Sequence, residues 1–214
     1  MFSPAAQGKY VPIPPVYAIA ASVDNCNFAI ETAWSSGEGG RTFQYLAGRE
    51  PGRQYIHDAT ALSSIADGSY DFLLASHILE HVANPLRALA EFHRVLKPQG
   101  CVLVLVPNQV YTFDHRRPVT TFAHLEADLA ADKDESDLTH LEEILALHDL
   151  ERDKPAGSLE EFRERCLRNA EMRCMHHHVF SLDLLEQALR HARFHPLYRT
   201  GVWDNHLLVF ARRA

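Results

Sequence analysis

Two continuous apolar runs dominate the chain's hydrophobic pattern. Tyr70-Asp71-Phe72-Leu73-Leu74-Ala75-Ser76 follows the turn signal Asp67-Gly68-Ser69, and Cys101-Val102-Leu103-Val104-Leu105-Val106 follows Lys97-Pro98-Gln99-Gly100. Each is too short for a membrane span and reads as a strand buried on both faces, as in parallel sheets. Between them, Leu89, Phe92 and Leu96 recur at helical spacing. Asn84-Pro85 supplies an N-cap side chain and a proline at the first helical position, where its missing N–H costs nothing. His77-Ile78-Leu79-Glu80-His81-Val82 is left as a polar-tipped loop or turn. Strand, loop, helix, turn and strand predict one right-handed βαβ unit.

The flanking pattern extends the same architecture. Val16 to Val23 reads as a strand closing on Asp24, and Gln54-Tyr55-Ile56-His57 as a short strand running into Asp58-Ala59-Thr60, with Leu62 and Ile65 starting a helical turn. Ser35 to Gly40 and Arg49 to Gly52 read as loops. A polar loop from Tyr111 to Thr121 precedes a helix to about Leu129. Asp132 to Asp137 is an acidic run, expected to be a solvated connector. Leu138 to Leu150 is amphipathic, Ser158-Leu159-Glu160-Glu161 is a capping box, and Ser181 caps a helix over Leu182 to Arg193. Two final strands, His195 to Trp203 and His206 to Ala211, meet at the hairpin turn Asp204-Asn205. No internal repeat or low-complexity segment interrupts this order.

The stretch "SYDFLLASHILEHVANPLRALAEFHRVLKPQGCVLVLVPN" resembles the second half of a class I S-adenosylmethionine-dependent methyltransferase domain of the type 11-like group. Its strand-ending "SHILEH" and its "RVLKPQG" turn come in order, at the family's separations, inside one βαβ unit. The resemblance implies an α/β fold: a Rossmann-like, mostly parallel sheet flanked by helices, with an antiparallel C-terminal hairpin. It implies one domain over 1–214 with a helical insertion at about 118–172.

It also implies S-adenosylmethionine as cofactor, with Asp58 and Ala59 against the adenine and Ser76 and His77 where cofactor and acceptor meet. An acid after the second strand of such sheets accepts from ribose hydroxyls, which makes Asp24 a cofactor candidate, while an Asp-Asn pair after a strand is equally a simple turn. For Asp58 the alternative is an N-cap of the following turn.

The family's opening strand and glycine-rich turn have no counterpart ahead of Asp24, where only Gly8 occurs. The blocks "FDHRRPVTTFAHL", "DLTHLEEILALHDL" and "RCMHHHVF" resemble a bacterial subfamily in which the glycine motif lies just before a segment like "FSP", and this chain starts Met1-Phe2-Ser3-Pro4. The first strand is therefore expected to be missing, through a truncated frame, a late start codon or real loss. A rival register takes Phe28 to Trp34 as the first strand and Gly37, Gly39 and Gly40 as a degenerate glycine loop. It would make Asp58 the second-strand acid and lose a whole βα unit before Tyr70, so the truncated register is preferred.

Methyl transfer to a hydroxyl needs alignment of the acceptor and removal of its proton. His77 and His115 are the catalytic candidates, and His81, Asp114, Arg116 and Arg117 the acceptor-binding ones, the arginines suiting an anionic group. A loop-holding hydrogen bond is the plainer role for His81. For the arginines the plainer roles are surface solvation or pairing with the acidic run.

Fourteen histidines raise the question of a metal. His77 and His81 fall in a loop rather than on one helix face, and the neighbours His176, His177 and His178 point apart, so no metal ligand set is expected. Three functional classes follow: a methyltransferase on a small acceptor, a cofactor-deficient binding or scaffold protein, and, weakest, a metal-dependent hydrolase.

Composition narrows this further. The 214 residues are 46% hydrophobic and 23% charged, which suits one globular domain. The formal charge of −7 argues against a nucleic-acid partner held through phosphates. Cys26, Cys101, Cys166 and Cys174 form no Cys-x-x-Cys pair and read as reduced thiols. With no secretory signal and no window near the ~20 apolar residues of a membrane helix, a cytoplasmic protein is expected, with homo-oligomerisation left open.

Overall fold

The computed structural model describes residues 15–30 and 41–214. Gly37, Gly39 and Gly40, most of the 28–34 stretch and the Met1-Phe2-Ser3-Pro4 start lie outside the described residues.

The centre is the expected βαβ unit. Strand β4, Tyr70–Ser76, leads through a 3₁₀ turn at Leu79–His81 into helix α2, Pro85–Val95, and then into strand β5, Leu96–Pro107. Asn84 Oδ1 accepts from the Arg87 amide at 3.1 Å, and Pro85 opens the helix. Leu86, Ala88, Leu89, Phe92 and Val95 form the buried stripe of α2 at three- and four-residue spacing. Leu79, Leu89, Leu96 and Leu185 have no exposed surface, and burying such a side chain contributes about 1.5–3 kcal/mol. The turn Lys97-Pro98-Gln99-Gly100 is drawn into the start of β5, with Gln99 at φ +66° and the β4 register shifting between Tyr70 and Phe72.

The chain closes as predicted. Helix α7, Leu182–His191, is capped by Ser181, whose side chain accepts from the Leu184 amide at 3.1 Å. Strands β6, Phe194–Val202, and β7, His206–Arg213, form an antiparallel hairpin. The hairpin loop is three residues long, Trp203, Asp204 and Asn205 between the paired Val202 and His206, and Trp203 and Asp204 both have positive φ. The sheet runs β4-β5-β7-β6, with β4 and β5 parallel and the hairpin antiparallel.

A second sheet has the order β1-β3-β2 and is built from short strands: Asn25–Asn27 (β1), Thr42–Phe43 (β2) and Gly52–Ile56 (β3). β1 and β3 are parallel, and Asn25 reaches across to Gln54 Oε1 at 2.9 Å. Among the described residues no strand lies between this sheet and β4.

Here one expectation is corrected. Val16 to Val23 is not a strand: helix α1 covers Pro15–Ile19, Ile19 is 83% exposed, and the ladder begins only at Asn25. A short apolar run is ambiguous between helix and strand, and these residues find no edge to pair with.

Between β5 and α7 the chain is helical: α3 (Phe122–Ala130), α4 (Leu141–Leu147), α5 (Leu159–Leu167) and α6 (Asn169–Met172). The amphipathic stretch predicted over 138–150 is helical only across α4. Ser158 and Glu161 make the reciprocal capping box. Leu141, Ile144, Ala156, Phe162, Cys166 and Met175 pack as a small separate core.

The acidic run departs from its expected role. Glu135 is buried, its carboxylate accepting from the Ala83 amide at 3.0 Å and pairing with Arg173 at 3.1 Å. A charge read as solvated is thus enclosed because its partner lies 38 positions further along the chain.

Candidate functional site

Ligands of open α/β sheets bind beyond the carboxyl ends of the strands. There β4 delivers Ser76, nearly fully buried, and His77 in a left-handed conformation at φ +52°. A non-glycine residue held there stores local strain, a common mark of a working site. His77 Nε2 lies 2.8 Å from His206 Nδ1 on the first residue of β7, and His77 Nδ1 lies 3.3 Å from Glu80 Oε1. The His77 side chain is 32% exposed and that of Glu80 1%, so imidazole forms the accessible tip and carboxylate the base.

The Glu80 carboxylate sits among His77, His81 and His176. Burial alone would raise its pKa, but these imidazoles outweigh that and hold it below the usual range. His81 is half-buried, stacks edge-on against His176 at 4.5 Å and faces the Met175 carbonyl at 3.1 Å. Desolvation pushes its pKa down to about 3, so it is neutral. His176 pairs with the buried Asp114. Asp114 falls to about 2 because His176 and Arg117 outweigh its burial, and the same pairing raises His176.

The acceptor candidates separate. His77, His81 and Asp114 share this cluster through Glu80 and His176. Arg117 is enclosed: its Nε donates to Glu143 at 2.9 Å, Nη1 to Asp114 and the His176 carbonyl, and Nη2 to the His177 carbonyl. Its guanidinium therefore holds the 176–178 strap instead of offering a free fork. His115 and Arg116 both turn to Asp149, at 2.9 and 3.2 Å. The arginines do not pair with the acidic run.

At the end of β3, Asp58 makes the tight turn expected of a capping aspartate. Its Oδ1 accepts from the Thr60 amide and hydroxyl at 2.8 and 2.7 Å, while Oδ2 pairs with Arg173 at 2.7 Å. These bonds offset its burial and lower its pKa. Ala59 packs against the main core. Arg173, at φ +51°, also lies over the Phe28 ring at 5.3 Å. Through Arg173 and Glu135 the Asp58 turn is joined to the loop that follows β4. A cavity of about 250 Å³ opens here, lined by Asp58, Glu135, Arg173, Arg87 and Lys133 among others. Arg173, Phe28 and His206 escape the sequence reading because no spacing ties them to the site.

Asp24 is not part of this grouping. Its Oδ1 accepts from the Arg53 amide and its Oδ2 from the Tyr70 hydroxyl, both at 2.7 Å, at the amino ends of β3 and β4. The 7 residues of β4 put Tyr70 and Ser76 roughly 20 Å apart, so Asp24 sits at the far end of the strands. Gly52 shows how tight this end is: an added Cβ would stand 1.8 Å from the Val23 carbonyl oxygen. The ribose contact expected of Asp24 rested on a strand at 16–23, which is absent, and its carboxylate instead ties the starts of β3 and β4 together.

Residues 17–104 match the family model described as "Methyltransferase domain". Over that stretch the chain is similar to methyltransferase domains. A solved S-adenosylmethionine-dependent methyltransferase of Methanosarcina mazei shares the fold with a TM-score of 0.50 at 17% identity, over 92% of this chain and 86% of that one. A methyltransferase of Aquifex aeolicus aligns at 0.41 and 13%, over 76% of this chain and 56% of the other. The 1,6-didemethyltoxoflavin-N1-methyltransferase of Burkholderia thailandensis, solved with 1,6-didemethyltoxoflavin and S-adenosylhomocysteine, aligns at 0.42 and 14%, over 76% and 51%. This chain thus spans little more than half the length of the last two. Among curated proteins none matches in sequence.

S-adenosylmethionine is the cofactor of methyltransferase domains of this class, and it joins an adenosine to a sulfonium, an ammonium and a carboxylate. The cavity beside Asp58 is lined by both acidic and basic side chains, which suits a ligand carrying both signs of charge. No helix among the described residues is long and apolar enough to cross a membrane.

Proposed function

We propose that the chain transfers a methyl group from S-adenosylmethionine to a small-molecule acceptor. On this reading the nucleoside end lies at Asp58 and Ala59, and the methyl end points toward Ser76 and His77. One observation carries it: the strained His77 stands half-open at the carboxyl end of β4, backed by a buried carboxylate and joined through Glu80, Glu135 and Arg173 to the Asp58 turn. The cofactor supplies the hard chemistry, a methyl on a positively charged sulfur.

The chain's part is to align the acceptor and move its proton. With Nδ1–H directed at Glu80, His77 presents the lone pair of Nε2, which in this structure accepts from His206. A hydroxyl acceptor would displace His206 there and deliver its proton to Nε2, while Glu80 fixes the tautomer and stabilises the imidazolium. His81 and Asp114 line the acceptor's side. His115 and Arg116, held by Asp149, belong to the rim.

Isothermal titration with S-adenosylhomocysteine tests the cofactor half. Saturable heat is expected, with Asp58→Ala weakening binding about tenfold or more through loss of a charged hydrogen bond. S-adenosylhomocysteine formation over a panel of hydroxylated acceptors tests the chemical half: His77→Ala should lower the rate by about 10²–10⁴ and leave binding intact.

A cofactor-deficient binding protein is the second reading. It is favoured by the filled Asp58 carboxylate and by the lack of a described strand between β4 and the three-stranded sheet. No heat at millimolar ligand would decide for it.

A further inference from the structure

A second cluster of histidines lies apart from His77, in the helical segment. His124 and Asp128 are one turn apart on α3, so their side chains share a face, with His124 Nε2 3.2 Å from Asp128 Oδ2. His140, just ahead of α4, brings its Nε2 to 3.1 Å from that of His124. His178, from the strap before α7, brings its Nε2 to 3.0 Å from the same Asp128 oxygen. One ligating atom from each of the four residues can be chosen so that all lie within 4.8 Å of one another.

We propose that His124, Asp128, His140 and His178 bind one zinc ion that locks α3 and the start of α4 to the strap ahead of α7. A tetrahedral ion with nitrogen and oxygen ligands at about 2.0–2.1 Å has ligand atoms about 3.3–3.4 Å apart, and three of the cluster's edges already stand within a few tenths of an ångström of that. The donors suit the ion, since neutral imidazole and carboxylate are ordinary zinc ligands. His178 Nδ1 is buried without a hydrogen-bond partner, so the ring can carry its proton there while Nε2 turns its lone pair inward. Four protein ligands make a closed site, the kind that serves structure.

The ion would staple segments 16 and 38 residues apart in sequence. Through the Asn84 amide, which reaches the Asp128 carbonyl at 3.4 Å, it would also steady the cap of α2. The neighbouring trio Glu80, His81 and His176 is the poorer candidate: His176 is committed to Asp114 and His81 to the Met175 carbonyl.

The test uses the full chain, stripped with a chelator, dialysed and titrated with zinc chloride against a competing chelator. One equivalent should bind and raise the melting temperature, and cobalt in its place should give the intense visible bands of a tetrahedral site. His124→Ala and His140→Ala should each weaken zinc at least tenfold and abolish the thermal shift. His124 is 39% exposed in its side chain, so its removal leaves the core intact. His81→Ala should bind like the parent. The proposal is overturned if the parent takes up no stoichiometric zinc, if both cluster variants keep full affinity, or if only His81→Ala loses the ion.

Discussion

The two sheets were made by different means. The four-stranded one has strands of 7, 12, 9 and 8 residues, and on its two central strands Val102, Val104, Val106, Val209 and Ala211 are fully buried. The three-stranded one has strands of 3, 2 and 5 residues and is tied by side-chain amides and by the Asp24 carboxylate. Apolar area stabilises the first, while local polar bonds, each worth about 0.5–1.5 kcal/mol net, hold the second. Yet the second carries Asp58. On the proposed reading the firmly packed half would present the proton-handling residues and the lightly built half the nucleoside contact, where ligand binding has most to add.

This contrast breaks most sharply under core truncation. Leu89→Ala should cost about 2–5 kcal/mol in chemical denaturation, whereas Ile56→Ala, 41% exposed on β3, should cost less than about 1 kcal/mol. Equal costs would mean that the second sheet is more firmly packed than its strands suggest.

Acid should attack the rigid half next. His81 has its folded pKa near 3, below the ordinary 6.5, so its contribution is complete above pH 6.5 and is lost as the pH falls from there toward 3. Melting temperatures measured across that window should decline, and His81→Phe should flatten part of the slope. An unchanged slope would show that His81 is not the neutral, desolvated group described.

Asn84→Ala should cost about 0.5–2 kcal/mol through the lost cap of α2, read from the denaturation midpoint. Arg173→Ala frees one Asp58 oxygen and should tighten S-adenosylhomocysteine a few-fold in calorimetry, while lowering stability because the enclosed Glu135 loses its cation. Weaker binding would instead make Arg173 a ligand contact. Lys97→Ala, removing an exposed pair with Asp71 at 2.8 Å, should stay within about 1 kcal/mol.

The legible parts of this chain are those where local chemistry and burial agree. Asn84, Pro85 and the apolar runs on either side specify their unit without help, and Ser158, Ser181 and Asp204 mark their caps and turn. Val16 to Val23 misled because apolar residues state burial without stating a period, and here they met no partner strand. Glu135 misled for the converse reason, a carboxylate looking solvated until Arg173 is brought to it by the fold. Of the two histidine groups, the spacing of His77 and His81 was visible but lies in a turn. His124 and Asp128 share a helix face that the sequence does show, but their convergence with His140 and His178 is created only by tertiary packing.

Arg117 has a consequence of its own. By gripping the carbonyls of His176 and His177 it fixes the reading frame of the strap, so that three successive imidazoles are addressed to three different acids: Asp114, Glu135 and Asp128. Deleting or adding a single residue between Cys174 and Val179 would send every ring to the wrong address at once. The strap thus behaves as a key cut for one lock.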